Sequence, residues 1–316
     1  MTSLAADIGG TYSRLAWIDD TRPTTEQLYE NAGFDDLEAV LEHGRHAAGL
    51  DQCALQQMVL ALPGPVQRDP VELTNIRWQV RRDAVCERFR PDRLTLVNDF
   101  QAAALGAINE PYDHLQVLNP VTPSDGPVVV TGAGTGLGMA WLADRDQKTL
   151  PTATEGGHMD FAPNSADQAA LYQWLAKRYG HVSYERILSG DGLLDTYRWL
   201  TGNAARADTP AGINRLASAN DAQARAAIRH FVAIFAAYAG NLALAFNPTG
   251  GLYLCGGLTA HLAQHFDPTT FMAAFAAKGR MQDVVRSVPV YLVTRPNTGL
   301  SGALRIARHA VASPWA

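Results

Sequence analysis

The chain has 316 residues, of which 47% are hydrophobic and 18% charged, with a formal net charge of −5 and a pI near 6.0. That length fits one large or two modest domains with a sizeable core, and a mildly acidic chain without a Lys/Arg block lacks the electrostatic footprint of a nucleic-acid binder. Three scattered cysteines, Cys53, Cys86 and Cys255, exclude a disulfide framework and match no zinc-ligand spacing, so reduced thiols are expected.

At the N-terminus, MTSLAADIGG shows no charged stretch followed by an apolar one, so no secretory leader is expected. Leu4 to Ile8 and Thr11 to Trp17 read as a β-hairpin. Phe34 to Ala48 has helical apolar spacing. Met58 to Leu62 reads as a strand entering Pro63-Gly64-Pro65, and Arg82 to Phe89 as a short helix. Arg77, Arg81, Arg82, Arg88, Arg90 and Arg93 are interleaved with acids and read as a solvated face. Leu94 to Val97 is a strand ending at Asn98-Asp99, and Phe100 to Ile108 a helix. This alternation gives an α/β domain. Asn109 to Pro127, rich in Pro and polar residues, reads as a connection and a hinge.

The second half restarts with a strand at Val128 to Val130. Helices are expected over Ser165–Tyr179, Gly190–Thr201 and Asp221–Phe246, with Gly202–Ala211 as a loop. The apolar run Ala233 to Ala245 is shorter than the ~18 residues of a membrane span. It is expected as a buried helix between domains. Gly251 to Cys255 and Val288 to Val293 read as strands, and Ser301 to Ala312 as a terminal helix. A cytoplasmic protein with no membrane segment is the expectation.

Two stretches share one pattern: DIGGTYSRLAWI from Asp7 to Ile18, and TGAGTGLGMAWL from Thr131 to Leu142. Aligning Gly10-Thr11 with Gly134-Thr135 carries the match through Ala16-Trp17 and Ala140-Trp141. Glycine turns let backbone N–H groups approach phosphate oxygens closely, because no Cβ intervenes. Two such turns suggest related half-molecules gripping one polyphosphate, and hence nucleotide-dependent phosphoryl transfer. An ordinary hairpin turn is the plainer reading of either alone. The GxGxG of Gly132, Gly134 and Gly136 does not fit a dinucleotide fold, because Leu137 to Leu142 reads as strand rather than helix. A P-loop is excluded, since the chain contains no Gly-Lys dipeptide.

Phosphoryl transfer needs positioning, charge neutralisation and a base near the acceptor hydroxyl. Asn98-Asp99 stands where open α/β sheets present ligands, although Asp99 also reads as a helix N-cap. Glu155-Gly156-Gly157-His158 could present both polar side chains to a small polar ligand, or be an ordinary exposed turn. Glu185 could add a carboxylate, or be a first-turn helix acid. Ionised carboxylates accept several O–H donors, so these residues make a hydroxyl-recognition set. Leu252 to Gly257 reads by itself as a buried strand ending in a glycine turn. No HExxH or cysteine-rich loop accompanies His158, so no structural zinc is expected.

In order, ADIGGTYSRLAW, LTNIRW (Leu73–Trp78), LVNDFQAAALG (Leu96–Gly106), GAGTGLGMA, EGGHMDFAP (Glu155–Pro163), ERILSGDGL (Glu185–Leu193), CGGL (Cys255–Leu258) and the closing KGR…VPVYLV resemble the bacterial glucokinase family of the hexokinase/actin-like ATPase superfamily. The resemblance spans nearly the whole chain. It implies a two-domain actin-like ATPase (ribonuclease H-like) fold with an interdomain cleft. The small α/β domain would comprise 1–108 plus 303–316, and the large one 109–302.

The implied activity is ATP-dependent phosphorylation of D-glucose at the 6-hydroxyl, the entry to glycolysis, by a homodimer. Alternatives are a kinase for another hexose or amino sugar, or a catalytically idle sugar sensor. The resemblance assigns Asp7, Gly9, Gly10 and Thr11 to a first phosphate turn, with Asp7 near the Mg²⁺ of Mg-ATP. It assigns Gly132, Ala133, Gly134, Thr135 and Gly136 to a second. Asp99 resembles the general base. Asn75, Asn98, Asp99, Glu155, His158 and Glu185 match sugar-binding positions, and Gly256 and Gly257 the adenosine segment. Two departures stand out: Tyr12 where Asn commonly follows GGT, and Thr259-Ala260-His261 where Pro-Arg is frequent.

Overall fold

A computed structural model describes residues 2–19, 22–74, 76–144 and 149–308. The chain divides into two compact units. One comprises Met1–Asn109, Lys148–Pro151 and Asn297–Ala316, and the other Glu110–Gln147 and Thr152–Pro296.

In the first unit, β1 (Thr2–Ile8) and β2 (Tyr12–Asp19) form an antiparallel hairpin. Leu4, Ala5, Ala6 and Ile8 are fully buried, as in a strand covered on both faces. β3 (Arg22–Glu30) pairs antiparallel with β2. β3 is not among the strands expected from the sequence: as an edge strand it keeps a polar, Pro-containing sequence that carries no buried alternation. α1 (Leu37–Ala47) starts at Asp36, whose carboxylate accepts the Ala39 N–H at 2.8 Å. β4 (Leu55–Leu62) runs parallel to β1. The pair β5 (Val71–Glu72) and β6 (Gln79–Val80) precedes α2 (Arg82–Phe89). β7 (Arg93–Asn98) runs parallel to β4 and leads into α3 (Asp99–Ala107). The sheet order is β3-β2-β1-β4-β7.

The second unit opens with β8 (Leu115–Asn119), a strand inside the stretch expected to be a bare connection. Gln116 and Asn119 on it donate side-chain hydrogen bonds to Phe266 O and Val288 O at 2.7 Å each, tying it down. Then come β9 (Val128–Ala133), β10 (Leu137–Leu142) and β11 (Thr152–Thr154). Helices α4 (Ala166–Tyr179), α5 (Gly190–Thr201), α6 (Pro210–Ser218) and α7 (Ala222–Phe246) follow. α6 begins inside the expected loop, capped by Thr209 with Pro210 in its first turn.

β12 (Gly251–Cys255) leads to α8 (Gly257–His261), α9 (Pro268–Phe275), α10 (Gln282–Arg286) and β13 (Val290–Val293). The sheet order is β11-β10-β9-β12-β13-β8. By length and composition α7 could cross a membrane, but 72% of its most apolar window is buried. Its Phe231, Phe235 and Tyr238 lie in the core of the second unit. The helix expected between domains is therefore internal to one of them.

The two sheets repeat one plan. Along β3-β2-β1-β4-β7 and along β11-β10-β9-β12-β13, two antiparallel pairings are followed by two parallel ones. Each glycine turn joins the equivalent two strands.

The last helix, α11 (Thr298–Arg308), belongs to the first unit. It begins three residues earlier than the expected Ser301, so a domain boundary at 302/303 would cut through it. α11 and α3 approach so closely that a Cβ on Gly302 would stand 1.8 Å from Ala102 O, and one on Gly106 2.0 Å from Thr298 O. Backbone-to-backbone packing of this kind fixes α11 against α3.

Candidate active site

In the first unit, Asp7 sits on β1 opposite Arg14 of β2. The Arg14 guanidinium is 3.8 Å from Oδ2, and the Asp7 side chain is only 17% exposed. Burial raises the Asp7 pKa above the usual carboxylate range, and Arg14 partly offsets this. A Cβ on Gly299, in the first turn of α11, would lie 2.5 Å from Asp7 Oδ2, so only glycine allows the carboxylate to nestle there.

Beyond Ile8 the chain turns through Gly9, Gly10 and Thr11. Gly9 N–H donates to Tyr12 O at 2.9 Å. Asn31 reaches in from the end of β3, its Nδ2 donating to Gly9 O at 2.8 Å. Tyr12 points outward, 42% exposed.

At the end of β7, Asn98 rather than Asp99 is the N-cap of α3. Its Oδ1 accepts from Phe100 N at 3.0 Å and Gln101 N at 3.3 Å, and Gln101 Oε1 accepts from Asn98 N at 3.2 Å, a capping box. Asp99 is the first helical residue, and its Oδ1 accepts the Phe100 N–H at 2.8 Å. The capping role the sequence offered for Asp99 thus falls to its neighbour. Asn75 lies outside the described residues.

In the second unit, the turn Gly134–Gly136 joins β9 to β10, with Gly134 N–H donating to Gly136 O at 2.8 Å. Glu185 is not a helix acid. It lies in a turn before α5, where its Oε2 accepts the Leu137 N–H at 2.9 Å. A Cβ on Gly136 would stand 2.5 Å from that oxygen. Glu185 N–H donates to Gly157 O at 2.9 Å, and Gly190 N–H to Gly134 O at 3.0 Å. Gly157 packs so tightly that a Cβ added there would fall 2.0 Å from Leu137 O.

His158 Nε2 stands 3.8 Å from Glu155 Oε2 and 3.8 Å from Glu185 Oε1. Three residues separated in sequence therefore converge on one polar cluster beside the second glycine turn. It can accept hydroxyl donors through two carboxylates and offer an imidazole between them.

Gly256 has φ +97°, and a Cβ there would meet Ala133 O at 2.4 Å. The end of β12 thus abuts the second turn. Thr259, fully buried in α8, accepts the Ala133 N–H on Oγ1 at 3.3 Å. In the departing tripeptide, His261 Nδ1 lies 2.6 Å from Gly257 O. Asn31, Gly299 and Thr259 pack around these turns without a local sequence signal. Asn31 lies in ENAGF, which carries no recognisable motif, and Gly299 touches Asp7 only through the returning last helix.

Each unit has a glycine turn between antiparallel strands of a mixed sheet, and the solved structures with this α/β plan include sugar kinases of the actin-like ATPase class. The family model for glucokinase matches residues 4–310. A glucokinase from Erwinia tasmaniensis is 35% identical over 308 residues, covering 95% of this chain and 95% of that protein. Among solved structures, a glucokinase from an Antarctic psychrotroph superposes with TM-score 0.80 at 29% identity, covering 97% of this chain and 98% of that one. A glucokinase from Balamuthia mandrillaris in complex with glucose gives 0.78 at 22% identity, over 98% and 94% of the two chains, and supports the fold. The chain belongs to the glucokinase family, and its activity is ATP-dependent phosphorylation of glucose.

Proposed function

We propose that Asp99 is the general base that takes the proton from the glucose 6-hydroxyl as the γ-phosphoryl group of ATP is transferred. Asn98, Glu155, His158 and Glu185 hold the remaining hydroxyls, and Asn75 is assigned with them. Because Asn98 Oδ1 is engaged in the helix cap, its contribution to a sugar oxygen is through the Nδ2 donors. Asp7, Gly9, Gly10 and Thr11 form one phosphate turn, and Gly132, Ala133, Gly134, Thr135 and Gly136 the other. Gly256, seated against Ala133, and Gly257 receive the adenosine. The observation that carries this reading is the bond from Leu137 N–H to Glu185, which makes the hydroxyl-binding cluster and the second phosphate turn one connected element.

Magnesium would arrive with ATP. Mg²⁺ is held by one or two carboxylates plus phosphate oxygens and retained water, and Asp7 would stand near it, reaching the ion through such a water. Burial disfavours the charged form of Asp7, and a nearby dication would favour that form again. Bound there indirectly, the ion would neutralise charge on the transferring phosphoryl group. Among the described residues no group of three or more His, Cys, Asp or Glu could hold a metal by itself.

The division of sugar-binding residues between the two units supports an interdomain cleft that closes on glucose. The reading extends to a cytoplasmic homodimer at the entry to glycolysis. The comparisons do not favour another hexose or amino sugar, or an idle sensor. A coupled assay with ATP, magnesium and a panel of hexoses tests the proposal. Glucose should give the highest kcat/KM, with product phosphorylated at the 6-position. A higher value for an amino sugar, or phosphate on another hydroxyl, would overturn the assignment.

A further inference from the structure

We infer that Asn31 is the positioning residue of the first phosphate turn. The inference rests on the assignment of Asp7 to Thr11 as that turn. Asn31 is 2% exposed and follows the edge strand β3, outside every glycine motif. All of its polar groups are engaged. Nδ2 donates to Gly9 O at 2.8 Å, and Oδ1 accepts from Ser13 Oγ at 2.7 Å. Its backbone N–H donates to Thr11 O at 2.9 Å, and its carbonyl accepts from Phe34 N–H at 3.0 Å. A buried amide satisfied on every side is a rigid brace. One side chain therefore grips residues 9 and 13, and its own backbone holds residue 11.

The chemistry explains why a brace is required. A glycine turn lowers the steric barrier to phosphate, but it also adds backbone freedom that binding must remove. Fixing the Gly9 and Thr11 carbonyls orients the intervening N–H groups before ATP arrives. Gly10 and Thr11 border a surface hollow of about 450 Å³ that Asn31, Ile76 and Trp78 also line, so the outer side of the turn is open to a solute. Residue 12 cannot provide this brace. Tyr12 is 42% exposed, and it is its backbone carbonyl that closes the turn with Gly9 N–H. The amide comes instead from nineteen positions along the chain.

The test compares Asn31→Asp with Ser13→Ala and Gly10→Val. Asn31→Asp keeps the shape and the Ser13 acceptor but sets a carboxylate oxygen against Gly9 O. KM for ATP should rise roughly tenfold or more, since a hydrogen bond is replaced by a repulsive contact. Glucose affinity, measured calorimetrically without nucleotide, should stay within about twofold, since the sugar residues are untouched. A merely structural role would lower thermal stability and both affinities together, or leave KM for ATP unmoved. Ser13→Ala removes only the Oγ donor and should give a smaller rise, about threefold. It keeps the question open to refutation if Asn31→Asp does not fold. Gly10→Val alters the turn itself. If Gly10→Val leaves KM for ATP unchanged, the phosphate-turn assignment falls. If Gly10→Val weakens ATP while Asn31→Asp and Ser13→Ala do not, only the role of Asn31 falls.

Discussion

The two glycine turns have nearly superimposable sequences and are built differently. In the first hairpin Ile8 faces Ser13, so four residues make the turn. In the second Ala133 faces Leu137, so three do. Aligned by sequence, the pairing differs by one register step, which no gapless comparison could expose. The braces differ too. A neutral amide, Asn31, holds the first turn at Gly9 and Ser13. A carboxylate, Glu185, holds the second at Leu137 N–H, and Leu137 aligns with Ser13. The aligned strand residues carry opposite electrical characters. Asp7 is a largely buried acid beside Arg14, whereas Thr131 is neutral and donates its hydroxyl to Gly138 O at 2.9 Å. The half-molecules share a scaffold, and each has been adapted to one part of the reaction. Under the proposed assignment, the first would carry charge for the metal and the base, and the second would tie sugar recognition to the nucleotide.

The largest expected effect separates chemistry from both turns. Asp99→Asn removes the proton acceptor but leaves the Asn98 cap and capping box intact. A general base contributes roughly 10²–10⁴-fold, so kcat should fall by about that factor. Equilibrium binding of glucose and of ATP should survive. Turnover within tenfold of the parent enzyme would remove Asp99 from the role.

Glu185 offers the sharpest probe of the second turn, because it faces two ways. Glu185→Gln retains an oxygen for Leu137 N–H but loses the charge beside His158. KM for glucose should rise roughly 10–100-fold, the range for a hydrogen bond to a charged group, with KM for ATP little changed. Glu185→Ala orphans the Leu137 N–H as well, so KM for ATP should rise with it. Equal behaviour of the two variants toward ATP would show that the Leu137 contact does not shape the turn.

Much of this was legible in the sequence, for identifiable reasons. The glycine turns, the strand end at Asn98-Asp99 and the Glu155–His158 turn are local, and local chemistry fixes what they can do. Their strands are buried and aliphatic, so periodicity and run length found them. The missing parts are non-local or polar. β3 and β8 are edge strands held by pairing rather than by apolar pattern. Asn31 and Gly299 matter only because distant segments return to the first turn. The distinction between Asn98 as cap and Asp99 as first helical residue turns on one residue of backbone geometry, below the resolution of helix-boundary signals.

A smaller effect should follow at the back of the second turn. Thr259 Oγ1 receives the Ala133 N–H at 3.3 Å in a buried setting, a contact with no counterpart among the hydrogen bonds that brace Gly9. Thr259→Val is nearly isosteric and removes the acceptor. KM for ATP should rise about threefold to tenfold, with kcat and glucose affinity nearly constant. No change in KM for ATP would mean that the end of β12 sets the position of Ala133 by packing alone.

The smallest shift, and the most direct test of the charge contrast, concerns Asp7 and stability. Burial raises the Asp7 pKa in the folded protein above its unfolded value. The sign of the linkage follows. Between the unfolded and folded pKa values the folded state binds more protons, so stability falls as pH rises through that window. Above the folded-state pKa the folded protein holds a carboxylate charge that the unfolded chain would hold at lower cost. Asp7→Asn abolishes that difference while keeping shape. Tm at pH 7 should rise, by about 2–4 °C for each kcal/mol relieved, and the gain should shrink as pH is lowered below the carboxylate range. The same substitution should reduce kcat, since the carboxylate proposed to stand near the Mg²⁺ of Mg-ATP is gone. Thr131→Val, at the aligned position of the second turn, carries no charge and should show no such pH-dependent gain. A Tm for Asp7→Asn below that of the parent enzyme at pH 7 would mean that the Arg14 pairing outweighs the cost of burial, and that the acid stabilises the first hairpin.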